Sequence, residues 1–189
     1  MPHPLNHDPY AKPSSEQEQG TRHPSRFEPK QSTVSSTQPQ QRIRARVHGS
    51  AATQSIPNNA ATTLVFDTVD FDTATSGPPG TAGLLVANGF KIPSTGKVTG
   101  TWLFHAHVTW AAAASGLRLA DLLANGSTIA RDLIDAGGSD ESSIDVQILV
   151  NDPTPGTSYT VAVTQTSGGG ALNVDKDSTR TYFEVIHLW

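Results

Sequence analysis

Between Gly96 and Trp110 the chain runs Gly-Lys-Val-Thr-Gly-Thr-Trp-Leu-Phe-His-Ala-His-Val-Thr-Trp, and Val98, Trp102, Phe104, Ala106, Val108 and Trp110 share one parity. Successive side chains of a strand point to opposite faces, so this spacing predicts a long half-buried β-strand with its apolar stripe on a core. Thr99, Thr101, Leu103, His105, His107 and Thr109 then occupy the other face.

The same period recurs on both sides of this segment. Ile43, Ala45 and Val47 alternate with arginines; Leu64 and Phe66 alternate with Thr63, Val65 and Asp67; Ile144, Val146, Ile148 and Val150 alternate with Asp145, Gln147 and Leu149; Tyr159, Val161 and Val163 continue the pattern. Breaks rich in Pro, Gly and Asn separate them, at 56–59, 76–80, 151–156 and 167–170. About eight to ten short strands with turn signals between them predict an all-β sandwich or barrel. Gly168-Gly169-Gly170 precedes another strand-like stretch, Ala171-Leu172-Asn173-Val174, so it reads as a hairpin loop rather than a phosphate-binding loop before a helix. Leu119, Leu122 and Leu123 stand at helical spacing, but Asn125-Gly126 supplies the positive φ angles of a two-residue type I′ turn, which favours a hairpin there.

The final segment, 181–189, is apolar on both parities: Phe183, Val185 and Trp189 on one, Tyr182, Ile186 and Leu188 on the other. A strand apolar on both faces is covered on both. The second cover is expected to be a neighbouring subunit, with Tyr182, Phe183, Val185, Ile186, Leu188 and Trp189 as candidate interface residues.

Composition divides the chain. Residues 1–41 hold 7 of the 13 prolines and six apolar residues, Met1, Leu5, Tyr10, Ala11, Phe27 and Val34, too few for a core. This segment reads as an extended Pro/Gln/Ser-rich arm, and 42–189 as the folded domain. The arm's four acidic and four basic residues cancel, so the formal charge of −4 belongs to the domain. Arg42, Arg44 and Arg46 form the nearest thing to a basic stripe, and three arginines on one strand face read as solvated rather than as a nucleic-acid footprint. The chain has no cysteine, which excludes disulfides and thiolate metal sites. It shows no leader-like start and no apolar run of the ~20 residues that span a bilayer, so neither export nor membrane insertion is expected.

With the segments ordered, a family pattern emerges. Its carriers are Ala45-Arg46-Val47 with Gln54-Ser55-Ile56-Pro57-Asn58 and Val65-Phe66-Asp67-Thr68, then Phe90-Lys91-Ile92-Pro93-Ser94-Thr95-Gly96 before the long strand. Arg118-Leu119, Asn125-Gly126-Ser127-Thr128-Ile129-Ala130, Val161-Ala162-Val163-Thr164-Gln165 and the closing aromatic strand follow. On these, 42–189 resemble the complement-head/tumour-necrosis-factor-like jelly roll, in the form found as knobs of phage virion proteins. The resemblance implies a ten-stranded jelly-roll sandwich that forms a homotrimer about a three-fold axis, with the C-terminal strand near that axis. Two positions depart from the family: Thr157 stands after Gly156 where Asp is frequent, and Val98 stands where an aromatic usually follows the glycine of the long strand.

Candidate chemistry is sparse. No His-Glu-x-x-His, Gly-x-Ser-x-Gly, Walker or Rossmann motif occurs, so no catalytic residue and no cofactor is expected. His105 and His107 share a strand face at a spacing that could place two imidazoles on one metal, but no carboxylate adjoins them in sequence, and a polar solvent or subunit face is the simpler assignment. Asp67, Asp70 and Asp72 fall in an expected loop that could hold calcium, with Asp175 and Asp177 as a second candidate; solvation is again the simpler reading, and no metal is expected.

The expected function is that of a phage virion structural protein. The arm, plugging partner pockets with its only aromatics, Tyr10 and Phe27, fixes a trimeric knob to other virion proteins. A tail or baseplate position with contact to a host surface glycan or protein comes first, and a head fibre or capsid decoration protein is the alternative. A soluble trimeric carbohydrate-binding module or signalling ligand is a further alternative. The protein is expected to be made in the host cytoplasm and to reside in the virion.

Overall fold

In the computed structural model the described residues are 43–74, 83–94, 99–113, 115–136 and 140–188. The arm with Tyr10 and Phe27, as well as Arg42, Val98, the 76–80 loop and Trp189, lie outside them. The chain divides into two units, Met1–Gln38 and Pro39–Trp189. The described residues belong to the second.

Six short strands come first: β1 (Arg44–His48), β2 (Thr53–Ile56), β3 (Thr62–Thr63), β4 (Thr68–Asp72), β5 (Leu85–Val86) and β6 (Gly89–Lys91). The long ones follow: β7 (Thr101–Trp110), β8 (Leu117–Ala124), β9 (Ser127–Asp135), β10 (Ser142–Asn151) and β11 (Ser158–Gln165). β12 (Leu172–Asp175) and β13 (Tyr182–His187) complete the set. The described residues hold thirteen strands where ten are expected, and β3 and β5 are pieces of only two residues. No α-helix occurs among the described residues.

The strands form two antiparallel sheets. One has seven strands in the order β2-β12-β7-β13-β1-β4, with β10 along the opposite edge of β7. The other has six, in the order β5-β6-β11-β8-β9, with β3 also on β11. All described strand pairings are antiparallel.

The parity of β7 is as its sequence predicts, and Trp102, Phe104, Ala106, Val108 and Trp110 are all fully buried. They meet Val161 and Val163 of β11 and Ala120 and Leu122 of β8 in one core. Two aromatic pairs tie the sheets together: Phe104 stacks on Tyr159 with centroids 3.9 Å apart, and Phe90 meets Phe183 at 4.7 Å. Such pairs add about 0.5–1.5 kcal/mol each beyond the area they bury.

Asn125 and Gly126 have φ of 47° and 82°, and Ala124 pairs with Ser127, so the β8–β9 hairpin closes on the two-residue turn its sequence predicts. Two expectations are corrected. Leu64 and Phe66 are buried with Val65 exposed between them, but 64–67 form no ladder strand. This stretch crosses between the sheets: Leu64 N–H donates to Val161 O in one, and Asp67 N–H donates to His48 O in the other. The Gly168–Gly170 loop is likewise no hairpin, because β11 and β12, which it joins, belong to different sheets.

Candidate functional site: the outer face of the seven-stranded sheet

Strand register assembles this face row by row. Tyr182 pairs with His107, which pairs with Asp145; Glu184 pairs with His105, which pairs with Gln147; Ile186 pairs with Leu103, which pairs with Leu149. On the other side of β13, His48, Arg46 and Arg44 stand opposite Tyr182, Glu184 and Ile186. The face therefore carries two polar rows and one apolar row, and cross-strand neighbours of this kind are what stabilise a sheet surface.

His105 is held at both ring nitrogens, Nδ1 3.0 Å from Glu184 Oε1 and Nε2 3.0 Å from Asp145 Oδ1. Ionised carboxylates only accept, so both nitrogens must donate and the ring is best satisfied as an imidazolium. The hydrogen bond to Glu184, supported by that to Asp145, raises the His105 pKa above its ordinary value, against the desolvation that would lower it. His107 Nδ1 lies 2.8 Å from the same Asp145 oxygen. Burial would raise the Asp145 pKa, but the hydrogen bonds of His107 and His105 outweigh it and hold the carboxyl below its usual range.

Tyr182 is boxed in. His107 stacks on it at 5.5 Å, His105 meets its ring edge-on at 5.6 Å, and the Arg46 guanidinium sits 3.6 Å from its centroid. Arg46 and His48 both approach Asp70, at 3.1 and 2.9 Å, and Arg46 also donates to the Ser178 carbonyl.

Asp145, His107 and Thr109 lie in a line resembling a nucleophilic triad, with Thr109 Oγ1 3.4 Å from His107 Nε2. The chemistry does not follow. The Thr109 hydroxyl donates to the Arg180 carbonyl at 2.6 Å, and the residue is 5% exposed, so its proton is committed and no substrate carbonyl could approach.

The apolar row reports on the predicted interface. Phe183 and Val185 are 0% and 1% exposed in the chain's own core, so they offer no side chain to a neighbour, and that assignment is corrected. Tyr182, Ile186 and Leu188 have the opposite parity and are partly exposed, beside Leu103 and the 58%-exposed Leu149. Leu103 and Leu149 carry no sequence signal beyond standing on the outward parity of long strands.

The acidic trio is also dispersed. Asp70 and Asp72 lie on β4 rather than in a loop. Asp67 accepts from Ser50 N–H and Oγ, Asp70 pairs with Arg46 and His48, and Asp72 accepts from Ala74 N–H. Asp175 pairs with Arg180, and Asp177 accepts from Thr179 N–H and Oγ1. Among the described residues no group of three or more His, Cys, Asp or Glu is arranged to hold a metal ion. No carboxylate adjoins the two histidines in sequence, but strand pairing supplies two, because β10 and β13 bring Asp145 and Glu184 to them.

No family model matches the chain, and no curated protein matches its sequence. Solved structures match its fold. Murine APRIL at pH 5.0 aligns with a TM-score of 0.53 and 11% identity over 78% of this chain and 100% of that one. Eiger TNF from S. frugiperda aligns with a TM-score of 0.51 and 11% identity, over 78% of this chain and 93% of that one. At such identities the likeness speaks for fold alone, and by it the folded unit has a tumour-necrosis-factor-like jelly-roll architecture.

Proposed function

We propose that this chain is a trimeric knob of a phage virion, a structural and attachment protein rather than an enzyme, held to the particle by residues 1–41. The observation behind the reading is the second apolar surface of the seven-stranded sheet. Its inner face is filled by the chain's own core, yet Ile186, Leu103 and Leu149 form a cross-strand row on the outside. Three copies about an axis cover such a row symmetrically, the assembly that the jelly-roll resemblance also implies. The lattice of Arg46, Tyr182, His107, His105 and Asp145 holds neighbouring side chains in place, so little ordering entropy is lost when the face is covered.

A tail or baseplate position with host-surface contact is the first reading, and a head fibre or capsid decoration protein has the same architecture. The likeness to APRIL and Eiger TNF favours a second reading, a soluble trimeric ligand or carbohydrate-binding module with no particle behind it. Deletion of residues 1–41 separates them. The truncated chain should remain a trimer by light scattering yet fail to enter virions, whereas normal incorporation would move attachment to the knob. A monodisperse monomer at micromolar concentration would remove the trimer. Negative-stain images of particles labelled at the C-terminus would separate tail, head and no particle at all.

A further inference from the structure

Arg118, near the start of β8, is 0% exposed and shares the core-facing parity of Ala120 and Leu122. Its Nη1 and Nη2 donate to the carbonyls of Leu117 and Ser115, at 3.0 and 3.3 Å, but its Nε is buried with no hydrogen-bond partner among the described residues. The Trp110 indole, at the end of β7 in the other sheet, has its ring centroid 5.8 Å from the Arg118 Cζ. Trp110 is also 0% exposed, and its Nε1 is a second buried donor without a partner among the described residues.

Among the described residues nothing beside the guanidinium balances its charge. Ile134 pairs with Arg118 on one side of the strand. Gln165 pairs with it on the other, and the Gln165 amide is committed to Ile56 O, Gly170 O and Ser167 N–H. Both hydrogen bonds that Arg118 makes go to neutral carbonyls, and no described carboxylate forms an ion pair with it. Burial pulls the Arg118 pKa down and outweighs the attraction of Asp135, which acts only from a distance. The Trp110 ring offers a cation–π contact near the limit of its range, about 6 Å, but brings no net charge. A guanidinium cannot shed its proton in such surroundings, so the buried charge needs an anion.

Two orphan donors, one of them charged, call for a single small acceptor that carries negative charge. Water accepts from both but leaves the charge unbalanced, and a carboxylate or phosphate brings further oxygens that need donors of their own. We propose that Arg118 Nε and Trp110 Nε1 together bind a monovalent halide, chloride, as a structural ion that ties β8 to β7 across the two sheets. A spherical anion takes N–H donors from any direction, so it satisfies an indole and a guanidinium that meet without a shared plane. Ser115 and Leu117, whose carbonyls hold the guanidinium, are themselves exposed, so the ion lies just beneath the surface and exchanges with solvent. The site is independent of the virion reading above.

The test is thermal unfolding of the full chain in sodium chloride, with sodium gluconate holding the ionic strength constant. An ion bound by the folded state alone should raise the melting temperature by about 3–5 °C for each tenfold rise in chloride above Kd. Trp110→Phe keeps an aromatic ring and removes the N–H, and Arg118→Met removes the charge, a change that buried sites often tolerate. Each variant should flatten the chloride dependence whatever it does to the melting temperature itself, so either one that folds suffices. Chlorine NMR on the full chain should show line broadening that bromide displaces and that the variants lose. A melting temperature indifferent to chloride, the same dependence in the parent and the variants, or no broadening would overturn the proposal and leave water as the acceptor. Acetate acting as chloride does would overturn it too, by making the site a carboxylate pocket.

Discussion

His105 and Glu184 face each other across the β7–β13 ladder, Nδ1 to Oε1 at 3.0 Å, although 79 residues separate them along the chain. With Asp145 on the other ring nitrogen, the imidazolium joins three adjacent strands, β13, β7 and β10.

This arrangement makes stability depend on pH in a definite sense. The folded His105 pKa lies above its ordinary 6.5, so its contribution is complete below pH 6.5 and is lost as pH rises through the folded value. The folded Asp145 pKa lies below its ordinary 3.8, so its contribution is complete above that and is lost as pH falls through the folded value. The lattice is therefore fully formed between about pH 4 and 6.5. Replacing His105→Gln should lower the melting temperature by about 2–4 °C at pH 6 and by less at pH 8.5. Thermal scans across pH check it, and an equal loss at both values would show that the histidine acts through packing alone.

Gly89 provides a backbone test of the other sheet. It pairs with Thr160, and a Cβ there would overlap the Tyr159 carbonyl oxygen, a fixed backbone atom. Gly89→Ala should cost about 1–3 kcal/mol and expose β6 amides to hydrogen exchange ahead of those of β8, measured by mass spectrometry. Uniform exchange across both strands would mean the clash relaxes without opening the β6–β11 ladder.

Phe104 tests the join between sheets. It is fully buried and stacked on Tyr159, so Phe104→Ala should cost about 3–5 kcal/mol in chemical denaturation, whereas Phe104→Leu, which keeps much of the volume, should cost much less. Equal losses would place the energy in the aromatic stack rather than in filled volume.

The core side of this fold is legible in the chain because the strand period is local: one parity of β7 holds five apolar side chains, and all five are buried. The outer face is less legible because it depends on register between distant segments. Asp145 and Glu184 become partners of His105 only when β10 and β13 pair with β7 at these offsets. In β13 both parities carry apolar residues, and Glu184 is the one charge that marks the parity of Tyr182 and Ile186 as outward while Phe183 and Val185 turn inward. A glycine run marks a loop, but which sheet receives the next strand is decided by tertiary packing, as the Gly168–Gly170 crossing shows.

The apolar row is where assembly can be separated from folding. Leu149 is 58% exposed and projects from the outer face of β10, so Leu149→Asp removes no packing from the core and should change the melting temperature of the folded unit little. If subunits meet over Ile186, Leu103 and Leu149, the same substitution buries a carboxylate among apolar side chains in each copy, a penalty repeated three times about the axis. Light scattering should then report monomers for Leu149→Asp at concentrations where the unmodified chain is trimeric, and Leu149→Met should remain a trimer. Circular dichroism of both variants should match the parent. A Leu149→Asp protein that stays trimeric would place the three-fold contact elsewhere on the knob and leave this row as exposed surface.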